Sequence, residues 1–233
     1  PAGVYPGDKR IPYTESLDAH PPASTPVMPA FRIMDEDGSV RPGAVDPEVG
    51  EAAAVAMYKN MVRTQSMDTV FYDAQRQGRI SFYMTNWGEE GTHVGTAAAW
   101  KEDDEVFAQY REAGVLAWRG FSLQQFADQL FSNADDLGKG RQMPVHYGTA
   151  ALHFQTISSP LATQLPQAAG AAYAAKLEGK GRMVACYFGE GAASEGDFHV
   201  GAFVYSCSGG TLTHNHPTPT LHPPQPHNHT TQH

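Results

Sequence analysis

Apolar residues in the first half of the chain recur three or four positions apart. Between residues 55 and 74 this spacing predicts one long amphipathic helix. Asp46 and Pro47 are typical of an N-cap and a first helical turn, and Gly78 is typical of a helix stop. We therefore expect the helix to run from about residue 46 to Gln77.

Shorter patterned segments follow this helix. Residues 79–86 predict a loop or a short strand, and the apolar runs 105–108 and 183–188 predict two buried strands. Strands that alternate with helices predict an α/β fold, with a mostly parallel sheet flanked by helices and functional loops at the carboxyl ends of the strands. Three further helices are expected, over residues 88–99, 122–132 and 160–177.

The two ends of the chain lack this periodicity. Residues 1–48 are rich in Pro, Gly and Asp, so we expect an extended N-terminal arm with one small hairpin about the turn Asp37–Gly38. From about residue 204 onward Pro, His, Thr and Asn dominate, which predicts a disordered tail over 204–233. The α/β domain is therefore expected over residues 49–203.

Composition narrows the functional classes. The chain has 233 residues, 41% of them hydrophobic, and a net charge of -9, which fits one sizeable core and argues against nonspecific nucleic-acid binding. No apolar run is long enough to predict a membrane span. The cysteines, Cys186 and Cys207, predict no disulfide framework and favour a reducing compartment. A first residue other than Met is consistent with removal of an upstream segment.

The stretch 189–197, Gly-Glu-Gly-Ala-Ala-Ser-Glu-Gly-Asp, directly follows the predicted strand 183–188. Glycines let the backbone approach phosphates and offer N–H donors, and Glu190 offers the oxygen ligand that Mg²⁺ prefers. Taken alone, the turn is more typical of an ordinary strand-to-helix connection than of a ligand site. Together with further motifs it indicates a site for a divalent cation and a diphosphate.

Several motifs carry a family resemblance. They occur in order at residues 75–91, 109–114, 136–146, 158–164 and 189–197. This set resembles the α subunits of the thiamine-diphosphate-dependent 2-oxo acid dehydrogenases across roughly residues 30–200. Glu190 and the run Ser81–Asn86 resemble the branched-chain (2-oxoisovalerate) members, since the pyruvate-specific members usually have Asp at that turn and lack that run.

The resemblance implies a thiamine-diphosphate-binding fold and a role in branched-chain amino-acid catabolism. The implied reaction is oxidative decarboxylation of branched-chain 2-oxo acids, with transfer of the acyl group to a lipoyl arm. The implied partners are a β subunit, in an α2β2 heterotetramer, and the lipoyl acyltransferase core, in the mitochondrial matrix. The glutamate that activates the cofactor is expected on the β subunit, so no catalytic residue is assigned in this chain.

The resemblance also implies ligands for the cofactor and for two metal ions. Glu190 is expected to bind Mg²⁺, and Phe82 and Tyr83 to line the substrate side. The expected cofactor-binding residues are Tyr110, Arg111, Ser159, Leu161, Gly189, Gly191 and Ala192. The expected K⁺ ligands are Ser158, Pro160 (by its carbonyl), Thr163 and Gln164. His146 is interpreted as a polar contact without a catalytic role.

The tail departs from the family pattern. An asparagine that completes the Mg²⁺ site in the family is expected near residue 219, where this chain has Pro219 in a Pro- and His-rich context. We therefore expect out-of-family sequence after about residue 203 and weak or no cofactor binding by the chain alone. The alternatives are a catalytically dead subunit that only docks partners, a pyruvate dehydrogenase α subunit, or a metal-binding protein that uses the tail histidines His214, His216, His222, His227, His229 and His233.

Overall fold

The computed structural model describes residues 2–5, 9–17, 24, 26–27 and 29–207. Contacts divide the chain into two units, Pro1–Glu48 and Val49–His233. In the first unit, strand β1 (Ala2–Tyr5) pairs antiparallel with β2 (Lys9–Pro12), a hairpin that the sequence did not predict. The predicted hairpin around Asp37 is confirmed as a single antiparallel bridge between Met34 and Val40.

The second unit is mainly helical, with a small parallel sheet. Its strands are β3 (Glu105–Phe107) and β4 (Val184–Cys186), and one 3-10 turn covers Ala150–Leu152. The helices are α1 (Glu51–Arg76), α2 (Glu90–Ala98), α3 (Ala113–Trp118), α4 (Leu123–Leu130), α5 (Gln164–Glu178), α6 (Glu190–Ala193) and α7 (Gly196–Cys207). None of the helices in the described part of the chain is both long and apolar enough to span a membrane.

The two predicted strands pair in parallel, but only the first is buried as expected. Val106 and Phe107 of β3 are buried, whereas all three residues of β4 are half-buried. Glu105 lies opposite Val184 and Phe107 lies opposite Cys186, while Val106 also bridges to Phe154. Helix α5 leads into β4 and packs against both strands. Because β3 and β4 run in the same direction, the segments that follow them leave the sheet at one edge.

Helix α1 begins later than predicted. Its N-cap is Gly50 and not Asp46, although the Asp46 carboxylate accepts a hydrogen bond from the backbone N–H of Glu48 at 2.8 Å, as an N-cap side chain does. Glu48 has a φ of 52°, in the left-handed region, which a helical turn does not allow. The predicted stop is confirmed, since the helix ends at Arg76 and Gly78 has a φ of 74°.

Helix α5 also begins later than predicted, at Gln164 and not at Pro160. Ala162 has a φ of 69°, so the backbone between Pro160 and the helix follows a separate loop conformation. The sequence missed the short helix α3, and it did not predict α7, which continues to Cys207, past the predicted boundary at residue 204. Residues 79–86 form a loop, in agreement with the first of the two expected forms.

The core lies between α1, α2, α3, α4 and the sheet. Its largest fully buried apolar side chains are Phe126, Phe154 and Leu116. Ser122 caps α4 as predicted, in a capping box with Gln125. This frame holds the loops that follow β3 and β4, where the predicted site residues lie.

Candidate functional site

The ends of the two parallel strands are joined by one side chain. Gln109, two residues beyond β3, accepts a hydrogen bond at its Oε1 from the backbone N–H of Gly189, at 3.0 Å. A Cβ on Gly189 would lie 3.7 Å from Nε2 of the same glutamine, so the turn packs directly on it. The motif 109–114 and the glycine turn are therefore adjacent in space, although 80 residues separate them in the chain.

Arg111 is the cation of this region. One guanidinium N–H donates to the backbone carbonyl of Thr85 at 2.9 Å, and the guanidinium carbon lies 5.9 Å from the ring centroid of Tyr110. Within the described residues no carboxylate lies within 4.0 Å of this guanidinium. The remaining N–H donors of Arg111 are therefore available to an anionic ligand.

A buried network fixes the segment that carries Arg111. The Asp68 carboxylate, fully buried on α1, accepts hydrogen bonds from the Tyr83 hydroxyl at 2.7 Å and from the Asn86 side chain at 2.9 Å and backbone at 2.6 Å. Asn86 in turn accepts from the backbone N–H of Ala113, at 3.3 Å. Burial raises the pKa of Asp68, and the three hydrogen bonds oppose that rise.

The same segment contains a second buried carboxyl group. Glu112 is 8% exposed, and its Oε2 accepts a hydrogen bond from the backbone N–H of Gln109 at 2.9 Å. Burial raises the pKa of Glu112. This contact closes the turn between β3 and α3 and so holds Tyr110 and Arg111 at the edge of the sheet.

The glycine turn itself is accessible. Gly189, Glu190 and Gly191 are exposed, whereas Ala192 is completely buried beneath them. The Cδ1 atom of Leu161 lies 3.8 Å from the position that a Cβ on Gly191 would occupy. The half-exposed Leu161 therefore faces the turn across a narrow gap.

The loop 158–164 is anchored to the end of β4. The buried Gln164 donates from Nε2 to the backbone carbonyl of Tyr187 at 2.9 Å. The Thr163 hydroxyl donates to the Pro160 carbonyl at 3.3 Å, so these two predicted K⁺ ligands are neighbours. Ser158 is half-buried in the same loop.

Ser159 and His146 form a hydrogen-bonded pair. The Oγ atom of the exposed Ser159 lies 2.9 Å from Nε2 of His146, and His146 is 5% exposed. The other ring nitrogen of His146, Nδ1, lies 2.9 Å from the backbone carbonyl of Pro144.

The two aromatic residues predicted on the substrate side differ in exposure. Phe82 is half-buried and packs against the core, whereas Tyr83 is 7% exposed with its hydroxyl bound to Asp68. Burial raises the pKa of Tyr83 far above its ordinary value.

No three His, Cys, Asp or Glu side chains gather into a metal-binding group within the part of the chain that the structure describes. Glu190, the first residue of α6, contributes one carboxylate to the glycine turn. The tail histidines lie outside the described residues, so the interpretation that depends on them stays a prediction.

Four supporting residues were not identified from the sequence: Gln109, Asp68, Asn86 and Glu112. Asp68 carried a detectable signal, because it shares a helical face with the buried residues Thr64 and Phe71, at spacings of four and three. A charged residue on a buried face indicates a specific partner. Gln109 and Asn86 act through contacts with distant segments, whereas Glu112 contacts the backbone of Gln109 three residues away. All three lie inside the motifs at 75–91 and 109–114, but nothing in those motifs indicated their individual roles.

Comparison with known proteins identifies relatives of this chain. The sequence model of a family described as the dehydrogenase E1 component matches residues 58–205. The mitochondrial 2-oxoisovalerate dehydrogenase subunit alpha of Bos taurus is 59% identical over 174 residues, covering 75% of this chain and 38% of that protein. The Caenorhabditis elegans protein of the same name is 52% identical over 205 residues, covering 88% of this chain and 47% of that protein.

A plant relative extends this similarity. The mitochondrial 2-oxoisovalerate dehydrogenase subunit alpha 1 of Arabidopsis thaliana is 51% identical over 197 residues, covering 84% of this chain and 42% of that protein. The chain thus spans less than half the length of these curated relatives. With 148 of its 233 residues matched by the family model (58 through 205), the chain belongs to the dehydrogenase E1 component family.

Proposed function

We propose that the chain is part of the α subunit of a branched-chain 2-oxo acid dehydrogenase. The proposed reaction is thiamine-diphosphate-dependent oxidative decarboxylation of 2-oxo acids such as 2-oxoisovalerate, followed by acyl transfer to a lipoyl group. The observation that carries the proposal is the contact of Gln109, two residues before Arg111, with the exposed turn Gly189–Gly191, together with an Arg111 guanidinium that has no carboxylate partner among the described residues.

The residues at this edge fit the diphosphate of the cofactor. The free guanidinium N–H groups of Arg111 match phosphate oxygens, and Tyr110 supports the guanidinium from its ring face. Gly191 and Ala192 follow Glu190 with no polar side chain, so the backbone can approach the phosphates. The N–H of Gly189 is already bound to Gln109, so in this proposal Gly189 shapes the turn and does not donate to a phosphate.

The metal ligands follow from the same residues. Glu190 would hold Mg²⁺ together with the diphosphate, because Mg²⁺ is often bound by one or two carboxylates and phosphate oxygens. The oxygens of Ser158, Pro160, Thr163 and Gln164 would hold K⁺, which would tie the loop 158–164 to the site. The contact of Gln164 with the end of β4 supports this placement.

The cofactor rings and the substrate need apolar surroundings. Leu161, which faces Gly191 and is 37% exposed, would support the cofactor rings, and Ser159 would contact them. Phe82 would line the substrate side. Tyr83 would support this surface from the core and would not contact the substrate, because its hydroxyl is hydrogen-bonded to Asp68.

When bound, thiamine diphosphate supplies the nucleophile and the electron sink for decarboxylation. The residues of this chain bind and orient it, and a β subunit would provide the activating glutamate. We further propose assembly with that β subunit and with a lipoyl acyltransferase core. A mitochondrial location follows from the names of the relatives.

The test is reconstitution with the β subunit of a 2-oxoisovalerate dehydrogenase, with Mg²⁺, K⁺ and thiamine diphosphate. We expect release of CO₂ from 2-oxoisovalerate in the presence of an artificial electron acceptor. The change Arg111→Ala should raise the cofactor Kd about tenfold to a hundredfold, the loss of one or two charge-assisted hydrogen bonds. Arg63→Ala, which removes an exposed arginine from α1, is the matched control.

Two results would contradict the proposal. Faster turnover of pyruvate than of 2-oxoisovalerate would favour a pyruvate dehydrogenase. Stable association with the β subunit, without cofactor binding or decarboxylation, would favour a docking subunit without activity. Cofactor binding by the chain without the β subunit, expected to be weak, is measured alongside by calorimetry.

A further inference from the structure

His146 and Ser159 form a hydrogen-bonded chain whose direction can be read from its acceptors. The Pro144 carbonyl can only accept, so the Nδ1 atom of His146, 2.9 Å away, must carry the proton that donates to it. In the neutral imidazole the other nitrogen, Nε2, then has a lone pair and no proton. Nε2 therefore accepts from the Ser159 hydroxyl at 2.9 Å.

Among the described residues, one other acceptor lies near this hydroxyl. The thioether sulfur of Met143 is 3.8 Å from Ser159 Oγ. A thioether is a weak acceptor, and the imidazole nitrogen is nearer, so His146 receives the proton. His146 is held in place by burial, at 5% exposure, whereas Ser159 is exposed on the loop 158–164.

We propose that His146 is a positioning residue that presents Ser159 Oγ to the site as a hydrogen-bond acceptor. With its proton directed at His146, the hydroxyl oxygen offers only lone pairs to a ligand. It therefore selects a donor group on the ligand and gives no hydrogen bond to a phosphate or a carboxylate. This assignment rests on the proposed function: Ser159 Oγ accepts a hydrogen bond from the amino group of the cofactor's aminopyrimidine ring. It does not contact the diphosphate or the substrate carboxylate.

The direction of the hydrogen bonds is tested on the chain itself, without cofactor. Long-range proton–nitrogen NMR at neutral pH identifies which ring nitrogen of His146 carries the proton. We expect protonation at Nδ1 alone, and a shift of the Nε2 signal in Ser159→Ala. Protonation at Nε2, or at both nitrogens, would overturn the inference, because Ser159 would then be free to donate.

The ligand preference is tested by calorimetry on the chain assembled with its β subunit. The probes are thiamine diphosphate and oxythiamine diphosphate, in which an oxygen replaces the amino group. We expect Ser159→Ala to weaken thiamine diphosphate binding up to about tenfold and to leave oxythiamine diphosphate binding unchanged. Equal weakening of both probes would show that Ser159 contacts another part of the cofactor and would overturn the assignment.

Two variants of His146 separate positioning from packing. His146→Gln keeps an acceptor on a side chain of similar reach, whereas His146→Leu keeps the volume and removes the acceptor. We expect the discrimination between the two probes to be retained in His146→Gln and lost in His146→Leu. If both variants lost the discrimination between the two probes to the same extent, His146 would have a packing role only and the positioning role would be overturned. If no variant binds either probe, the proposed function fails, and the NMR result alone decides the direction of the hydrogen bonds.

Discussion

The side-chain oxygen of Gln109 accepts a hydrogen bond from the backbone N–H of Gly189 at 3.0 Å. This contact joins the ends of two adjacent parallel strands, β3 and β4. It places the segment after β3, which carries Arg111 two residues beyond Gln109, against the glycine turn after β4. The geometry of the proposed diphosphate site therefore depends on a residue that is not itself proposed to touch the cofactor.

We expect Gln109→Leu to loosen the glycine turn, because the substituted side chain cannot accept the Gly189 N–H. Amide hydrogen exchange at Gly189 should be faster in the variant, and the affinity for thiamine diphosphate in the assembled subunits should fall about tenfold. Gln167→Leu, at an exposed position on α5, is the control and should change neither quantity. Unchanged exchange at Gly189 in Gln109→Leu would contradict the role of this hydrogen bond.

Asp68 is expected to be the most sensitive charged position on α1. Asp68→Ala leaves the Tyr83 hydroxyl and two Asn86 N–H groups without their acceptor in a buried site. The free energy of unfolding should fall by about 3 kcal/mol or more, whereas Tyr83→Phe should cost about 1 kcal/mol. Urea unfolding measures both, with the exposed Asp73→Ala as control, expected within about 0.5 kcal/mol of the parent chain. If Asp68→Ala lowered the free energy of unfolding by no more than about 0.5 kcal/mol, the stabilising role of this hydrogen-bond network would be contradicted.

Glu112 should make stability depend on pH. Burial raises the pKa of this carboxyl in the folded chain above its unfolded value, so the folded state binds the proton more tightly. Its stabilising contribution is present below the unfolded pKa and is lost as pH rises through the folded pKa. Glu112→Gln keeps an acceptor for the Gln109 N–H and carries no charge. The variant should therefore gain stability relative to the parent as pH rises from about 4 toward neutrality.

This pH effect is measured by urea unfolding at several pH values. Glu102→Gln, which changes an exposed glutamate, is the matched control and shows the background effect of removing one carboxylate. A constant difference between Glu112→Gln and the parent across the range would contradict the expected effect of burial.

Gly148 is expected to tolerate no side chain. A Cβ there would lie 2.6 Å from the Cα of Thr156, where the backbone is held by the hydrogen bond from the Ile157 N–H to the Tyr147 carbonyl at 3.0 Å. Gly148→Ala should destabilise the fold by about 1–3 kcal/mol, since the two backbone segments must separate. By contrast, Gly170→Ala on α5 meets no atom within 4 Å and should stabilise the helix by about 0.5–1 kcal/mol. Thermal unfolding of the two variants should therefore shift in opposite directions.

Local features of the chain were predicted well where local physics decides them. The helical state of α1, the Ser122 cap of α4, and strands within 105–108 and 183–188 depend on neighbouring residues, and these were confirmed. The apolar face predicted for α1 was wrong in part, since Val55, Tyr58 and Val70 are exposed, and β4 is half-buried and not buried. The predicted starts of α1 and α5 were wrong. Glu48 and Ala162 adopt left-handed backbone conformations, which the sequence does not predict for glutamate or alanine.

The sequence by itself determined the order of motifs, the alternation of strands and helices, and the family to which the chain belongs. Only the tertiary structure decided how the site is held together. Gln109 reaches Gly189, Asp68 reaches Asn86, and His146 reaches Ser159 across loops and elements that no local pattern relates. The physical reason is that a hydrogen bond between distant segments depends on where the packed core brings their backbones, whereas helix periods and caps are set within a few residues.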